Sequence, residues 1–270
     1  MNNYPTLERR LGLGILTLYG IGDILGAGIY AMVGKVAEIA GQGAWISFLV
    51  SAFLAGVTGL TYAELSSRIP KSAGAAAYCG AAFRHPILPF MVGFLVMTSG
   101  LTSTATVSLA LHGYLNVFAN PPILVAAIAV IALFGLLAFW GIGASAWTNA
   151  LLTVIEASGL LLVIVVGLRF AAGFSPSHLV TSLTPDLGVG AIFAGATLAF
   201  YAFIGFEDLA NLAEEAKNPR RDLPRAILLA VAFSTLIYLA VIVVFLCTVG
   251  TTDADQSFSL VRGHHHTDMS

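Results

Sequence analysis

The sequence has 270 residues, of which 58% are hydrophobic and 10% are charged, with a mean hydropathy of +0.90 and a formal net charge of −2. Soluble domains carry about 25% charged residues, so the composition excludes a soluble globular protein and predicts an integral membrane protein. The near-neutral charge, without a basic stripe, gives no reason to expect a nucleic-acid partner. Cys79 and Cys247 fall on opposite sides of the predicted membrane, which argues against a disulfide.

Apolar segments close to the length of about 20 residues that crosses a bilayer predict seven transmembrane helices. They lie at 13–33, 44–65, 87–117, 123–142, 146–170, 188–211 and 225–249. The predicted fold is therefore an all-α polytopic membrane protein. We expect no cleavable signal peptide, because Glu8-Arg9-Arg10 leads directly into the first span.

Lysine and arginine residues predict the orientation, because they concentrate on the cytoplasmic side of membrane proteins. With the N-terminus inside, nine of them fall on inner segments and three on outer segments. The inner residues are Arg9, Arg10, Arg68, Lys71, Arg84, Lys217, Arg220, Arg221 and Arg225, and the outer residues are Lys35, Arg169 and Arg262. We expect a protein of the plasma (cytoplasmic) membrane with residues 1–12 in the cytoplasm.

The first span contains Gly20-Ile21-Gly22-Asp23-Ile24-Leu25-Gly26-Ala27-Gly28-Ile29-Tyr30, which is poorly suited to a continuous helix. Each glycine costs about 1 kcal/mol relative to alanine, and Asp23 adds about 2.5–3.5 kcal/mol for an ionisable group in a bilayer. We predict an unwound segment at Gly26-Ala27-Gly28. It leaves the N–H groups of Ala27, Gly28 and Ile29 free to bind an anion, and carbonyls near Ile24 free to bind a cation. An amino acid carries both charges.

An alternative explanation of these glycines is close helix packing, because Gly22 and Gly26 have the G-x-x-x-G spacing found at helix contacts in membranes. In that case the first span is a continuous helix without a binding site. A second interruption elsewhere in the chain favours the binding site over this alternative.

The fifth span contains a carboxyl group, Glu156, within Thr153-Val154-Ile155-Glu156-Ala157-Ser158. Ionisable residues inside membranes are costly and are functional candidates by default. Glu156 and Asp23 are therefore candidates to bind and release a proton. The alternative for Glu156 is a neutral carboxyl group that hydrogen-bonds a neighbouring helix.

The sixth span contains the second interruption, Phe200-Tyr201-Ala202-Phe203-Ile204-Gly205-Phe206-Glu207-Asp208. We predict that its first half ends near Ile204, which leaves the carbonyls of Phe203 and Ile204 open. The alternative is a helix that ends at Glu207 and exposes both acids to water. Broken helices at corresponding places in two halves of a chain indicate the binding site of a secondary transporter.

Four segments, in this order along the chain, resemble motifs of the amino acid–polyamine–organocation (APC) superfamily of permeases, particularly its cationic amino acid transporter-like branch. They are Gly26-Ala27-Gly28-Ile29-Tyr30, Pro70-x-Ser72-Ala73-Gly74-x-x-x-Tyr78, Phe203-Ile204-Gly205-Phe206-Glu207 and Glu214-Glu215-x-Lys217-Asn218-Pro219-x-Arg221-x-x-Pro224-Arg225-Ala226-Ile227. The resemblance covers about residues 8–250, and Ala75 stands where the family usually has a second glycine.

The resemblance implies a LeuT-like, inverted-repeat fold of five plus five helices and secondary active transport of amino acids by alternating access. It implies that the substrate carboxylate binds the N–H groups of Ala27, Gly28 and Ile29 beside Gly26. It implies that the ammonium group binds the carbonyls of Ile24, Phe203 and Ile204 beside Gly205. Tyr201 then covers the substrate, and Glu207 contributes to gating.

Two departures from the family matter. Some proton-coupled relatives have a lysine in the fifth helix where this chain has Glu156, so a carboxyl group would replace the lysine mechanism. The chain also contains only helices six and seven of the second repeat. Residues 13–170 form the expected first repeat, 188–250 the start of the second, and 251–270 a polar, disordered tail. We therefore expect a truncated permease.

Two other functions fit parts of the sequence. A non-transporting remnant or partner protein would explain the missing helices. An intramembrane aspartyl protease would explain Gly20-Ile21-Gly22-Asp23, which reads G-x-G-D, but that chemistry needs a second aspartate and no Tyr-Asp pair occurs. We expect a transporter and not an enzyme. Its partners are a cationic or neutral amino acid, the lipid bilayer and a proton, with no cofactor and no metal.

Overall fold

The computed structural model describes residues 9–115, 121–140, 142–170 and 188–249. The helices are α1 (Leu13–Ala40), α2 (Ala44–Arg68), α3 (Gly74–Ala82), α4 (Ile87–Leu115), α5 (Ile123–Phe139), α6 (Ile142–Phe170), α7 (Val189–Phe203) and α8 (Pro219–Val249). Two 3₁₀-helices, Gly41–Gly43 and Phe206–Leu212, follow α1 and α7. The all-α prediction is confirmed. The predicted tail at 251–270 lies outside the described residues.

Five stretches among the described residues are long and apolar enough to cross a membrane: Gly28–Arg68, Ile87–Leu109, Ser145–Arg169, Val189–Leu212 and Pro219–Thr248. Leu13–Gly26 and Ile123–Phe139 are apolar but shorter. Each of the seven predicted spans therefore contains a helix. The first is divided because α1 is interrupted at Gly26, and the chain reverses at Gly41–Gly43 before α2.

The helix ends differ from the predicted spans in three places. The connection after α2 contains a short helix, α3, which the spans did not include. The sixth span is split into α7 and the 3₁₀-helix Phe206–Leu212. The last helix begins at Pro219, six residues before the predicted start, because proline needs no N–H acceptor in the first turn of a helix.

α1 and α2 each pack against both α7 and α8, and these four helices contribute most of the buried core. Ile24 and Ile29 of α1, Phe48 of α2, Phe203 of α7 and Tyr238 of α8 are each no more than 1% exposed. α6 packs against α1 and α8, whereas α4 packs on α3 and α5 and exposes most of its side chains. This arrangement places both interrupted segments inside one four-helix group.

Buried serines join α2 to α7. Ser47 Oγ donates to the carbonyl of Ile192 at 2.9 Å. Ser51 Oγ lies 2.6 Å from the carbonyl oxygen of Ala196 and 2.8 Å from that of Ser47 in its own helix. In a bilayer, serine hydroxyls commonly join helices in this way. The contacts hold the first half of the sixth crossing against the second crossing.

Candidate functional site

α1 is interrupted at Gly26, whose φ of 0° and ψ of −163° are not helical. The sequence predicts a break at Gly26-Ala27-Gly28, and the structure confines the non-helical dihedral angles to Gly26. Ala27, Gly28 and Ile29 directly follow this break in α1, and the availability of their N–H groups stays a prediction. A Cβ atom at Gly26 would meet nothing within 4 Å, so open space lies beside this break.

The sixth crossing is interrupted where α7 ends at Phe203. Ile204 is extended, with φ −63° and ψ 141°, and Gly205 has a φ of +132°. Only glycine adopts such a positive φ without strain. The N–H of Gly205 donates to Oε2 of Glu207 at 2.9 Å, so the Glu207 carboxylate satisfies a backbone donor that the interruption releases.

The two interruptions contact each other backbone to backbone. A Cβ atom at Gly205 would lie 2.6 Å from the carbonyl oxygen of Asp23, and one at Gly28 would lie 3.0 Å from Cα of Ala202. No side chain fits at either position without movement of the neighbouring backbone. Glycine at these two positions therefore allows the backbones of α1 and the end of α7 to lie in direct contact.

Tyr238 of α8 joins the two interruptions from a third helix. Its hydroxyl group lies 2.5 Å from the carbonyl oxygen of Ile24 and 2.9 Å from that of Ala202. A tyrosine hydroxyl has one proton, so it donates to one of these carbonyls at a time. The Ile24 carbonyl, which we expected to be free, therefore shares a donor with Ala202.

The ring of Tyr238 packs edge-on against Phe203, with ring centroids 5.0 Å apart, and against Phe48 at 6.2 Å. Our reading of the sequence did not identify Tyr238. The available signal was a lone hydroxyl group in the apolar run Leu236-Ile237-Tyr238-Leu239-Ala240, because a tyrosine hydroxyl buried in a membrane protein needs a hydrogen-bond partner.

The predicted substrate residues differ in exposure. Ile24, Ile29 and Phe203 are buried, whereas the Tyr201 side chain is 57% exposed and that of Ile204 is 44% exposed. The aromatic ring beside Tyr238 is that of Phe203 and not that of Tyr201. The role of Tyr201 as a cover for the substrate stays a prediction.

Acidic side chains lie on one side of the interruptions. Asp208 and Glu207 both act electrostatically on Asp23, and Oδ2 of Asp23 is buried with no hydrogen-bond partner in the described part of the chain. Glu156 is half-buried on α6 and acts electrostatically on Tyr238. Within the described ranges, no group of three histidine, cysteine or acidic side chains is arranged to hold a metal ion.

Three chain segments are tied together at the end of the molecule where α1 begins. Leu11 pairs with the segment after the 3₁₀-helix, because its N–H donates to the Glu215 carbonyl at 3.0 Å and its carbonyl accepts from the Lys217 N–H at 2.8 Å. The N–H of Glu214 donates to Oγ of Ser72 at 3.1 Å. These bonds connect the start of α1, the α2–α3 connection and the start of α8.

An aromatic cluster lies next to these bonds. The Tyr62 ring packs edge-on against Tyr78, with centroids 6.1 Å apart, and against Phe206 at 5.9 Å. Burial, and then the neighbouring Tyr62, raise the pKa of Tyr78 to about 12, so its hydroxyl group stays protonated at neutral pH. The cluster packs α2 and α3 against the 3₁₀-helix that follows the second interruption.

Membrane-spanning helices interrupted at two places in the chain are typical of secondary transporters. A model of the amino acid permease family matches residues 11–260. The chain therefore belongs to the amino acid permease family, which confirms the resemblance to APC permeases. The protease hypothesis is wrong, because the members of this family are transporters and not enzymes.

The similar proteins include permeases of bacteria, plants and animals. The branched-chain amino acid permease BcaP of Bacillus subtilis (strain 168) is 32% identical over 257 residues, covering 87% of this chain and 54% of the relative. The vacuolar cationic amino acid transporter 2 of Arabidopsis thaliana is 34% identical, covering 96% and 44%. Cationic amino acid transporter 4 of Mus musculus is 31% identical, covering 98% and 45%. The chain spans about half the length of these curated relatives.

Proposed function

We propose that this chain takes part in secondary active transport of amino acids by alternating access, with the substrate held between the interruptions of α1 and α7. The observation that supports this most directly is the position of the Tyr238 hydroxyl. It lies within hydrogen-bond distance of Ile24 from one interruption and Ala202 from the other. Because both carbonyl oxygens lie near one hydroxyl group, the two interruptions are close enough to contact the same small substrate.

The charges of the gap match those of an amino acid. The substrate carboxylate binds the N–H groups of Ala27, Gly28 and Ile29, where the positive end of a half-helix dipole favours an anion. The ammonium group binds the carbonyls of Phe203 and Ile204, together with whichever carbonyl Tyr238 does not occupy at that moment. Since the single proton of the Tyr238 hydroxyl cannot serve both carbonyls, an incoming ammonium group can donate to the other one.

The side chain of the substrate is cationic in this proposal. The ionisable groups that lie near the interruptions are acids, namely Asp23, Glu207, Asp208 and, next to Tyr238, Glu156. An excess of negative charge in a low-dielectric site favours a guanidinium or ammonium side chain. Two of the three relatives described above are named cationic amino acid transporters, while BcaP is named for branched-chain amino acids.

Glu207 is the proposed gate. Its carboxylate holds the Gly205 N–H at 2.9 Å, so movement of Glu207 would release a backbone donor at the second interruption. Glu156 and Asp23 remain the candidates for proton coupling. A carboxyl group at either position can take a proton from water and return it, without the lysine that some relatives have in the fifth helix.

The proposed orientation places the N-terminus in the cytoplasm, in a plasma membrane. The structure supports the assignment of segments to a common side, because Leu11, Ser72 and the residues from Glu214 to Lys217 are hydrogen-bonded to one another. The positively charged residues near them, including Arg9, Arg68 and Lys71, then lie on the cytoplasmic side.

Binding of radiolabelled arginine to the purified chain in detergent tests the site. Gly26→Leu fills the open space beside the first break, and we expect at least a tenfold loss of affinity. Gly34→Leu is the matched control, since Gly34 lies in the same helix and a Cβ atom there also meets nothing within 4 Å. Unlabelled lysine should compete better than leucine. Equal binding by both variants, with circular dichroism unchanged, would contradict the site assignment.

The alternative function is that of a non-transporting partner protein or remnant. It makes a separate prediction. A partner protein need not bind an amino acid, so the purified chain would fail to retain arginine even without any substitution. Retention by the wild-type chain and loss in Gly26→Leu would support the transport function instead.

A further inference from the structure

Asp23 has a carboxyl group that is only half satisfied. The side chain of Asn149 on α6 hydrogen-bonds to it, while its other oxygen, Oδ2, is buried and has no partner among the described residues. A buried carboxylate that lacks a donor on one oxygen loses solvation without full compensation. The free energy of the buried Asp23 side chain therefore depends on whether its carboxyl group is protonated.

The contact between α1 and α6 fixes the position of Asn149. Thr153 Oγ lies 3.2 Å from Oδ1 of Asn149, and a Cβ atom at Gly22 would collide with Thr153 and lie 2.8 Å from Asn149 Oδ1. Because Oδ1 faces the Thr153 hydroxyl, the amide NH₂ group is left to donate to Asp23. Gly22 lets the two helices approach closely enough for this pairing.

The groups that surround Asp23 supply no positive charge. Tyr19 lies one turn before it on α1, Glu207 and Asp208 lie on the 3₁₀-helix, and all three interact with it electrostatically. On the neighbouring helices, Tyr238 of α8 interacts electrostatically with Glu156 of α6 and with Tyr30 of α1. None of these is a lysine or an arginine. Ionised Asp23 is therefore repelled by its neighbours, and a proton would remove that repulsion.

A cavity of about 260 Å³ lies between α1, α5 and α6 and reaches Asn149. Its lining includes the polar side chains of Tyr19, Ser145, Thr148 and Asn149. Since a water molecule occupies about 30 Å³ of liquid, the cavity has room for several waters with hydrogen-bond partners. It lies at the end of the bundle where α5 ends and α6 begins, so it provides a route for protons from that end to Asn149.

We propose that Asp23 is a proton-binding site of this protein, positioned by Asn149 and supplied by water in the cavity between α1, α5 and α6. The carboxylate accepts a proton from a hydronium ion, which leaves as water, and later returns the proton to water. This inference deepens the proposed transport function, on which it rests, by assigning the coupled proton to Asp23 and not to Glu156. The backbone carbonyl of the same residue contacts Gly205 of the second interruption.

Infrared difference spectroscopy of the full chain in detergent, recorded between acidic and neutral pH, tests the proposal without requiring transport. We expect a C=O stretching band of a protonated buried carboxyl group that titrates with pH. The band should be lost in Asp23→Asn and kept in Glu156→Gln, which removes the competing carboxyl group. A band that survives in Asp23→Asn, or that disappears in Glu156→Gln alone, would overturn the assignment.

Two further variants keep the test decisive if Asp23→Asn fails to fold. Asp23→Glu keeps a carboxyl group and should shift the frequency of the band, and an unchanged frequency would count against the proposal. Asn149→Leu removes the donor to the carboxylate and should move the titration midpoint to higher pH by about one unit or more. Arginine binding at a fixed pH is measured in parallel. If the wild-type chain does not bind arginine but still shows the Asp23-dependent band, the transport function is refuted and the assignment of the proton-binding site to Asp23 stands.

Discussion

Single glycine residues allow the backbones of α1 and the end of α7 to contact each other. Gly205 combines a φ of +132° with a Cα atom that faces the Asp23 carbonyl, so it meets two independent requirements for glycine. The sequence predicted an interruption at this glycine. The contact with Asp23 was not predicted, because it depends on how two distant helices pack.

Gly205→Ala should therefore lower the stability of the protein by about 1–3 kcal/mol, because the added Cβ atom both strains the backbone and pushes against Asp23. The measurement is thermal unfolding of the purified protein in detergent. Gly190→Ala is the control, in the helix α7 that precedes Gly205. A Cβ atom at Gly190 meets nothing within 4 Å, and we expect no loss of stability from it. Equal melting temperatures for the two variants would be incompatible with this contact.

A second effect at the residue scale concerns Tyr238. Tyr238→Phe keeps the ring that packs on Phe203 but removes the donor shared by Ile24 and Ala202. An unsatisfied buried carbonyl costs about 1–3 kcal/mol, so the variant should unfold at a lower temperature. Saturating arginine should recover more stability in Tyr238→Phe than in the wild type, because the substrate ammonium group can occupy the vacated carbonyls.

The comparison for Tyr238→Phe is Tyr201→Phe, which removes a hydroxyl group from a side chain that is 57% exposed. We expect its melting temperature to stay close to that of the wild type. A loss of stability of the same size in both variants would mean that the hydroxyl of Tyr238 has no special role at the interruptions.

At the scale of single elements, both breaks were predictable because their causes are local. Glycines weaken a helix wherever they occur, and the runs 20–30 and 200–208 carry glycines with acidic residues inside apolar spans. The first break is narrower than predicted, since only Gly26 has non-helical angles. The remaining residues of the motif stay helical.

The pairing of α2 with α7 is a property of the two elements and makes a prediction of its own. Ser51→Ala removes the bond to the Ala196 carbonyl, and Ser47→Ala the bond to Ile192. Hydrogen bonds between membrane helices contribute about 0.6 kcal/mol on average and at most about 1.7 kcal/mol. We expect each substitution to cost that much in denaturant unfolding, and the double variant to cost more than either.

Ser67→Ala is the matched control for the serine pair. Ser67 lies in the same helix, but its hydroxyl group donates to the Glu64 carbonyl of α2 itself at 2.7 Å. Its loss should leave the α2–α7 contact intact. If Ser67→Ala cost as much as Ser51→Ala, the serine bonds between helices would not be the cause of the stabilisation.

At the scale of the whole molecule, the segments that the sequence assigned to one side of the membrane are bonded to each other. Leu11 pairs with the strand-like segment around Ala216, and Ser72 bonds to Glu214. The central group of α1, α2, α7 and α8 consists of the first two helices of each expected repeat. The division of the chain into two repeats stays a prediction, and such repeats would meet around the substrate.

Cysteine labelling measures the proposed orientation. In a background with Cys79→Ser and Cys247→Ser, Lys35→Cys should react with a membrane-impermeant maleimide on intact cells. Lys217→Cys should react only after the membrane is permeabilised. The reverse pattern would show that the N-terminus lies outside, while leaving the site between the interruptions unchanged.

The sequence by itself determined the fold class, the family, the positions of both breaks and the identity of the acidic residues. These features depend on local composition and on motifs formed by residues that are close together in the sequence. Only the tertiary structure revealed the shared hydroxyl of Tyr238, the pairing of Asp23 with Asn149 and the contact of Gly205 with Asp23. Those contacts join residues more than 100 positions apart, except for the one between Tyr238 and Ala202. The physical reason is that such a contact depends on the angle and depth at which whole helices pack, and no single segment encodes that packing.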